Sequence, residues 1–295
     1  MVLDVFGNAR AKLGLHIHTN VSDGLASPEE AARMYAAHGY DAIALTDHWK
    51  YGEPKEISGL SILSGIEYDV NGMRENTFHI VCLLAERAPE GLSRESTPQE
   101  VVDAIHEAGG LAVLAHPAWS LNTVESILAV DGFDATEIYN TVSGTGQSFR
   151  PDSSLLLDFL ACEGRTYPIL ATDDAHYYRD FRGMDACQSY IMARCDPRDP
   201  TSVKRAILAG DFYATQGPEI HLTQTENGFR VDCSPCQKIV FASNRPWRPR
   251  VFVSEDGALL TSAEYIPAED ETFLRAFVVD ADGKQAWSNY IQLLS

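Results

Sequence analysis

The chain is short of basic residues: 23 lysines and arginines stand against 42 aspartates and glutamates in 295 residues, a formal net charge of −19. That deficit disfavours a nucleic-acid polymer or an anionic membrane held by general electrostatics. No run approaches the ~18 apolar residues of a spanning helix, so no membrane segment is expected. Residues 1–12 lack a continuous apolar stretch with a small-residue cleavage site, and the expected location is the cytoplasm. The six cysteines (Cys82, Cys162, Cys187, Cys195, Cys233, Cys236) form no dense framework, as befits reduced thiols. Cys233-Ser234-Pro235-Cys236 is the one close pair; without a second pair or nearby histidines it is half a zinc site at best and reads as incidental. Low-complexity segments and internal repeats are also missing, apart from strand–helix alternation. What is left is an acidic globular chain, long for one compact unit.

What the chain does have is imidazoles and carboxylates at the ends of apolar strands. In Leu15-His16-Ile17-His18, side chains two apart share a face, so His16 and His18 project together and Ile17 turns away, with Asp23 shortly after. Ser27-Pro28-Glu29-Glu30 then signals a helix start, and the helix stops at Gly39 with His38 suited to its C-terminal dipole. Residues 41–48 read as a buried strand ending in Thr46-Asp47-His48. Residues 60–67 end in Glu67, and residues 78–84 open on His79; Asn71-Gly72 between them predicts a turn and an antiparallel or irregular pair.

A second helix opens at Thr97-Pro98 and closes at Gly109-Gly110, with His106 read like His38. The strand at 111–115 delivers His116-Pro117, whose proline fixes the backbone. A strand at 133–139 is followed by a polar loop ending in Arg150-Pro151, a helix at 152–160, and a strand at 167–171 that ends in Asp173, Asp174 and His176. A strand at 188–193 and a helix at 201–208 complete the alternation, the grammar of a parallel α/β protein. Beyond Gly217-Pro218 the pattern becomes short strands (221–225, 229–233, 238–243, 250–254, 272–279) with no helical period. The expected domains are therefore 1–217 and 218–295, the second a small β-sandwich or a sheet packed on the first. His221, in its first strand, reads as structural.

Together the strand-end residues are His16, His18, Asp23, His48, Glu67, His79, His116, Asp174 and His176. One or two of these would pass as satisfied core or rim residues. Six histidines with three carboxylates are costly to gather unless cations compensate them, and they exceed what one zinc takes. Two or three divalent ions are expected.

In this order the residues resemble the PHP (polymerase and histidinol phosphatase) metallohydrolases. The likeness rests on His16-Ile17-His18 with Asp23, Thr46-Asp47-His48, Gly65-Ile66-Glu67, His79, Ala115-His116-Pro117 and Asp174-Ala175-His176, over roughly residues 13–217. The resemblance implies a distorted (β/α)7 TIM-like barrel with a trinuclear metal cluster at the carboxyl ends of its strands. His16, His18, Glu67 and Asp174 would hold one metal; Glu67 would bridge to a second held with His79 and His116; Asp23, His48 and His176 would hold a third. Manganese, zinc and iron are the candidate ions, and the oxygen ligand at Asp23 favours a harder one such as manganese. Segments 212–220 and 277–289 resemble the branch with a C-terminal β-domain that includes carbaryl-hydrolase-like proteins.

The implied function is a metal-dependent phosphoesterase acting on a small phosphorylated metabolite or nucleotide, mono- or diester, with a metal-bridging hydroxide as nucleophile. Carboxylic-ester or carbamate hydrolysis is the enzyme alternative, since the same nucleophile attacks carbonyl carbon. A non-catalytic binding module is the other, though its signature, ligand loss, is absent. Asp47 and Asp173 adjoin ligands and, with His176, are candidates for orienting imidazoles or supplying a proton; solvated or capping roles stay open for the two aspartates. Arg150 is a candidate phosphate clamp or a surface arginine. The expected partner is a small anionic substrate, with no nucleic-acid polymer and no membrane.

Overall fold

The computed structural model describes residues 1–72, 77–145, 148–177, 184–247, 250–255 and 257–293. Its helices begin where capping chemistry puts them. Ser27 and Thr97 accept from the amides of Glu30 and Glu100, whose carboxylates reach back to the cap amides, and proline opens both α1 (Pro28–Ala37) and α2 (Pro98–Glu107). The sequence pattern did not show α3 (Val124–Leu128). It started α4 (Ser154–Cys162) two residues early, because Asp152 lies ahead of the helix and accepts from the Ser154 amide. The last helix is α5 (Pro200–Leu208).

The strands run as β1 (Val2–Leu3), β2 (Ala9–Gly14), β3 (Ala42–Ala44), β4 (Lys55–Ile57), β5 (Leu60–Leu63), β6 (Gly65–Asn71), β7 (Thr77–Leu83), β8 (Leu111–Leu114), β9 (Ala135–Asn140), β10 (Ile169–Thr172), β11 (Tyr190–Ala193) and β12 (Phe212–Thr215). The C-terminal region adds β13 (Ile220–Gln224), β14 (Phe229–Cys236), β15 (Lys238–Ala242), β16 (Val251–Val253), β17 (Leu260–Tyr265), β18 (Phe273–Val279), β19 (Gln285–Trp287) and β20 (Ile291–Gln292). They form a mixed α/β fold of three sheets. The longest has the order β16-β15-β18-β19-β12-β11-β2-β3-β5-β4; a second runs β10-β9-β8-β7-β6, and a third β13-β14-β17.

A closed barrel is not shown. β2, β3 and β5 pair in parallel within the long sheet, while β6 to β10 belong to the second. Among the described residues the two meet at isolated bridges: Ile17 with Ala175 at one seam, and His48 with Glu67 and Gly52 with Gly65 at the other. The reason is local, because at both seams the apolar strands give way to the polar site residues. Gly65 is required at its seam, where a Cβ would stand 2.6 Å from the Leu45 carbonyl oxygen. Nor is the second sheet all parallel: β6, β7 and β8 are antiparallel, with Asn71 opposite Thr77 as the Asn71-Gly72 signal anticipated.

The long sheet continues across residue 217, because β12 pairs with β19 and places Thr215 opposite Ala286. Trp287 is fully buried in the main core and stacks on Tyr139. The three-stranded sheet packs on β15 and β18 through Ile220, Val231, Phe241, Leu274 and their neighbours, a sandwich-like arrangement at the end of the long sheet. Cys233 and Cys236 are buried free thiols there, their Sγ atoms 3.6 Å apart. No helix among the described residues is long and apolar enough to cross a membrane.

Candidate metal centre

The polar cluster gathers where the strands run out. His16 and His18 follow β2, His48 follows β3, His116 follows β8, and Asp174 and His176 follow β10. Glu67 and His79 come instead from inside the β6–β7 hairpin, where Glu67 pairs with Val81 and His79 with Asp69. Strand alternation decides their direction: Ile66, Tyr68 and Val70 face the core, so Glu67 and Asp69 face the cluster. Two of these positions are conformationally forced. His116 and Asp174 have φ of +26° and +53°, a region that non-glycine residues enter only when their surroundings hold them there.

Three groups of potential ligand atoms result, each within 4.8 Å: His16, His18, Glu67 and Asp174; His48, Glu67 and His79; and His18, Asp23, His48 and His176. His18 Nε2 lies 2.9 Å from Glu67 Oε2 and 3.1 Å from Asp174 Oδ1, and His16 Nε2 lies 3.2 Å from the same glutamate oxygen. On the other glutamate oxygen, His79 Nδ1 is at 2.8 Å and His116 Nε2 at 3.4 Å. His176 Nε2 and His48 Nε2 stand 3.4 and 4.0 Å from Asp23 Oδ2. The pocket above has a volume of about 130 Å³ and is lined by all nine residues except His16 and His18, with Trp119 added. No lysine or arginine lines it among the described residues.

A second layer of acceptors fixes which ring nitrogen faces inward. His16 Nδ1 donates to Glu137 Oε1 at 2.7 Å, His116 Nδ1 lies 3.1 Å from Ser120 Oγ, His176 Nδ1 lies 2.8 Å from the Asp174 carbonyl oxygen, and His48 Nδ1 lies 3.4 Å from Asp69 Oδ1. Each leaves its Nε2 for the centre, the usual arrangement of imidazoles that bind metal. Glu137 is fully buried and also accepts from the His116 amide, Asn140 Nδ2 and Thr172 Oγ1.

Charge follows the geometry. Burial works against protonation of His16 and His18, yet Asp174 and Glu67 beside both, with Glu137 at His16 and Asp23 at His18, hold them well above the usual imidazole range. Burial likewise opposes ionisation of Glu67, Asp174 and Asp23, and the facing imidazoles outweigh it and hold all three below the usual carboxylate range. Asp174 Oδ1 is buried and makes no hydrogen bond, although it faces two Nε2 atoms that are 3.2 Å apart. Nitrogen and oxygen atoms of ligand type crowded this closely fit divalent cations, which would take the place of the imidazole protons.

Residues 14–106 match the PHP domain family. The likeness covers 93 of the chain's 295 residues. The match spans His16 to His79, and the fold brings His116, Asp174 and His176 to the same centre from outside it. An uncharacterized protein of Methanocaldococcus jannaschii is 28% identical over 150 residues, which cover 46% of this chain and 85% of that protein. Among solved structures, a two-domain protein from Bacteroides vulgatus, described as containing a predicted PHP-like metal-dependent phosphoesterase, aligns with a TM-score of 0.54 at 13% identity over 99% of this chain and 97% of its own. That is a likeness of fold, and it extends past the matched residues 14–106 into the C-terminal sheets. An amidohydrolase from Chromobacterium violaceum aligns with a TM-score of 0.41 at 18% identity, over 58% of this chain and 89% of its own.

Around this centre, the remaining candidates are placed as follows. Asp47 reaches no imidazole; its carboxylate accepts from the amides and hydroxyls of Thr19 and Ser22, clasping the loop that carries Asp23. Asp173 points away from Asp174 and accepts from Tyr35, Thr141, Gln188 and Ser189. Burial pushes its carboxyl up to about 6 against those donors. Arg150 is exposed and outside the pocket lining, its amide bonded to the Ser143 carbonyl oxygen. Sequence reasoning passed over Glu137, Asp69 and Trp119. The available signal for Glu137 was an acid in an otherwise buried strand, at a position that alternation turns inward.

Proposed function

We propose that the chain is a metal-dependent phosphoesterase that hydrolyses a small phosphorylated metabolite or nucleotide. The observation that carries this reading is the convergence of nine ligand-type side chains on one centre, seven of them lining a small pocket with no cationic side chain among its described lining residues. Two or three divalent ions are the compensation such a site accepts. His16, His18, Glu67 and Asp174 would hold one, Glu67, His79 and His116 a second, and Asp23, His48 and His176 a third. When bound, such ions lower the pKa of water by several units and neutralise an anionic substrate.

The chain's own residues do the holding and aiming. Glu67 offers one oxygen to each of two neighbouring groups, Glu137 sets the orientation of His16 from behind, and Asp47 fixes the loop bearing Asp23. The lack of an arginine among the described lining residues favours one further reading. A carboxylic ester or carbamate needs no cation beyond the metals, so hydrolysis at carbonyl carbon is the second candidate. The test compares p-nitrophenyl phosphate, bis-p-nitrophenyl phosphate and p-nitrophenyl acetate with manganese-loaded protein and chelated controls. Chelator-sensitive turnover of a phosphate ester supports the first reading; turnover of acetate alone replaces it with the second.

A further inference from the structure

We propose that Trp119 sets substrate specificity at the metal centre, selecting phosphoesters that carry a planar aromatic group next to the phosphoryl group; this rests on the phosphoesterase reading. The pocket, at about 130 Å³, is well below the roughly 300 Å³ at which sites enclosing a whole small molecule begin. Only the reacting group enters it, and the rest of the substrate lies at the rim. Among the described lining residues, Trp119 is the one that is not of ligand type. Among the described residues, whatever approaches the metals therefore meets either their ligands or this indole.

The indole is held in place. Its ring centroid lies 5.0 Å from that of His116 and 5.6 Å from that of His79, edge-to-face at 83° to both. It sits in the turn after the strained His116, where Pro117 fixes the backbone. That turn is tied at several points: the Ser120 amide to the His116 carbonyl oxygen, the Ala118 amide to Ser153 Oγ at 3.2 Å, the Asn122 amide to the Pro117 carbonyl oxygen, and Asn122 Nδ2 to the Thr77 carbonyl oxygen at 3.1 Å. The ring is nevertheless only half-buried. His79 and His116 share one oxygen of Glu67, so Trp119 borders that side of the centre. A preset, half-exposed indole offers stacking or edge contact to an aromatic ring and little extra to a saturated one.

The test uses 2-phenylethyl phosphate and 2-cyclohexylethyl phosphate, matched in size and in their alkoxide leaving groups, with manganese-loaded protein. Wild type should prefer the phenyl ester in kcat/KM by about tenfold, mostly through KM. Trp119→Ala and Trp119→Leu should bring the ratio close to one, while Trp119→Phe keeps most of it. The matching phosphonates, titrated calorimetrically, should show the same preference in binding without turnover. Metal content measured alongside distinguishes a lost wall from a lost site, and the leucine variant keeps the apolar bulk should alanine disturb the fold. Turnover of both esters without preference, or a preference unchanged in metal-replete Trp119→Leu, overturns the role of Trp119. Failure of metal-loaded wild type to hydrolyse either ester overturns the phosphoesterase reading and this inference with it.

Discussion

Two clusters of histidine and carboxylate lie near opposite ends of β2, about 20 Å apart by strand rise. One is the candidate metal centre beyond Gly14. The other, at the start of the strand, joins Asp4, Glu219 and His221. By residue type both qualify as metal sites, and their difference is Arg10. Its Nε donates to Asp4 Oδ2 at 2.8 Å, Nη1 to the Met192 carbonyl oxygen at 3.3 Å, and Nη2 stands 3.5 Å from His221 Nδ1. His221 in turn donates from Nε2 to Glu219, which also takes the Val5 amide. In this second cluster a guanidinium from the chain itself pairs with Asp4 and reaches His221, whose other nitrogen is taken by Glu219, so the ligand-type atoms already have partners. The candidate metal centre has no such residue among its described lining side chains. A list of ligand-type residues thus becomes an argument for metal only after the local cations have been counted.

The comparison breaks most visibly at Glu67, whose oxygens face two of the three groups. Glu67→Gln is expected to strip bound metal, measured by elemental analysis, and to lower activity by more than about a hundredfold, beyond what a residue one layer out usually costs. A variant that kept full metal and full activity would remove Glu67 from the centre. The mirror-image experiment is Arg10→Met, which leaves the Asp4 carboxylate buried without its partner. Denaturant titration should show a loss of about 3–5 kcal/mol with metal content unchanged; a loss of metal would mean that the two clusters are not independent.

Glu137→Gln keeps shape while weakening the acceptor behind His16. Chelator competition should reveal a 10- to 100-fold fall in metal affinity, roughly the usual effect of such partners. Smaller still is the pH effect at Asp4. Burial opposes its ionisation, but the Asn8 amide and Arg10 prevail and hold the carboxyl at about 2, below its ordinary 3.8. The stability it adds is therefore present above pH 3.8 and is lost as pH falls through about 2. The gap in melting temperature between wild type and Asp4→Asn should close over that interval, and a constant gap would show that charge is not the cause. Arg150→Ala should leave KM for a phosphate ester unchanged; a rise would return Arg150 to the site.

Much of the candidate metal centre was legible because an imidazole or a lone carboxylate after an apolar run has no cheap structural use, as at His16, His48 and Asp174. Helix starts at Ser27 and Thr97 were legible because capping is local chemistry. Glu137 escaped because one acid in a half-alternating strand looks like a solvent-facing position, and only tertiary packing buries it against His16. The separation of the main strands into two sheets escaped too, since a seam is a relation between residues such as His48 and Glu67 that no single segment carries. β17 was missed because Leu260 to Tyr265 alternates weakly and takes its strand form from pairing with β14.

One feature of the long sheet bears on time. Leu13 of β2 pairs with Ala42 on one side and with Ile191 on the other, about 180 residues later in the chain. At a synthesis rate of 5–20 residues per second, β2 waits roughly 10–40 s on the ribosome before its second neighbour exists. During that interval one edge of the strand is open, and His16 and His18 have neither Asp174 nor His176 to meet. The first two ligands of the centre are thus made long before the centre can close, and contacts of such long range also predict slow refolding in vitro.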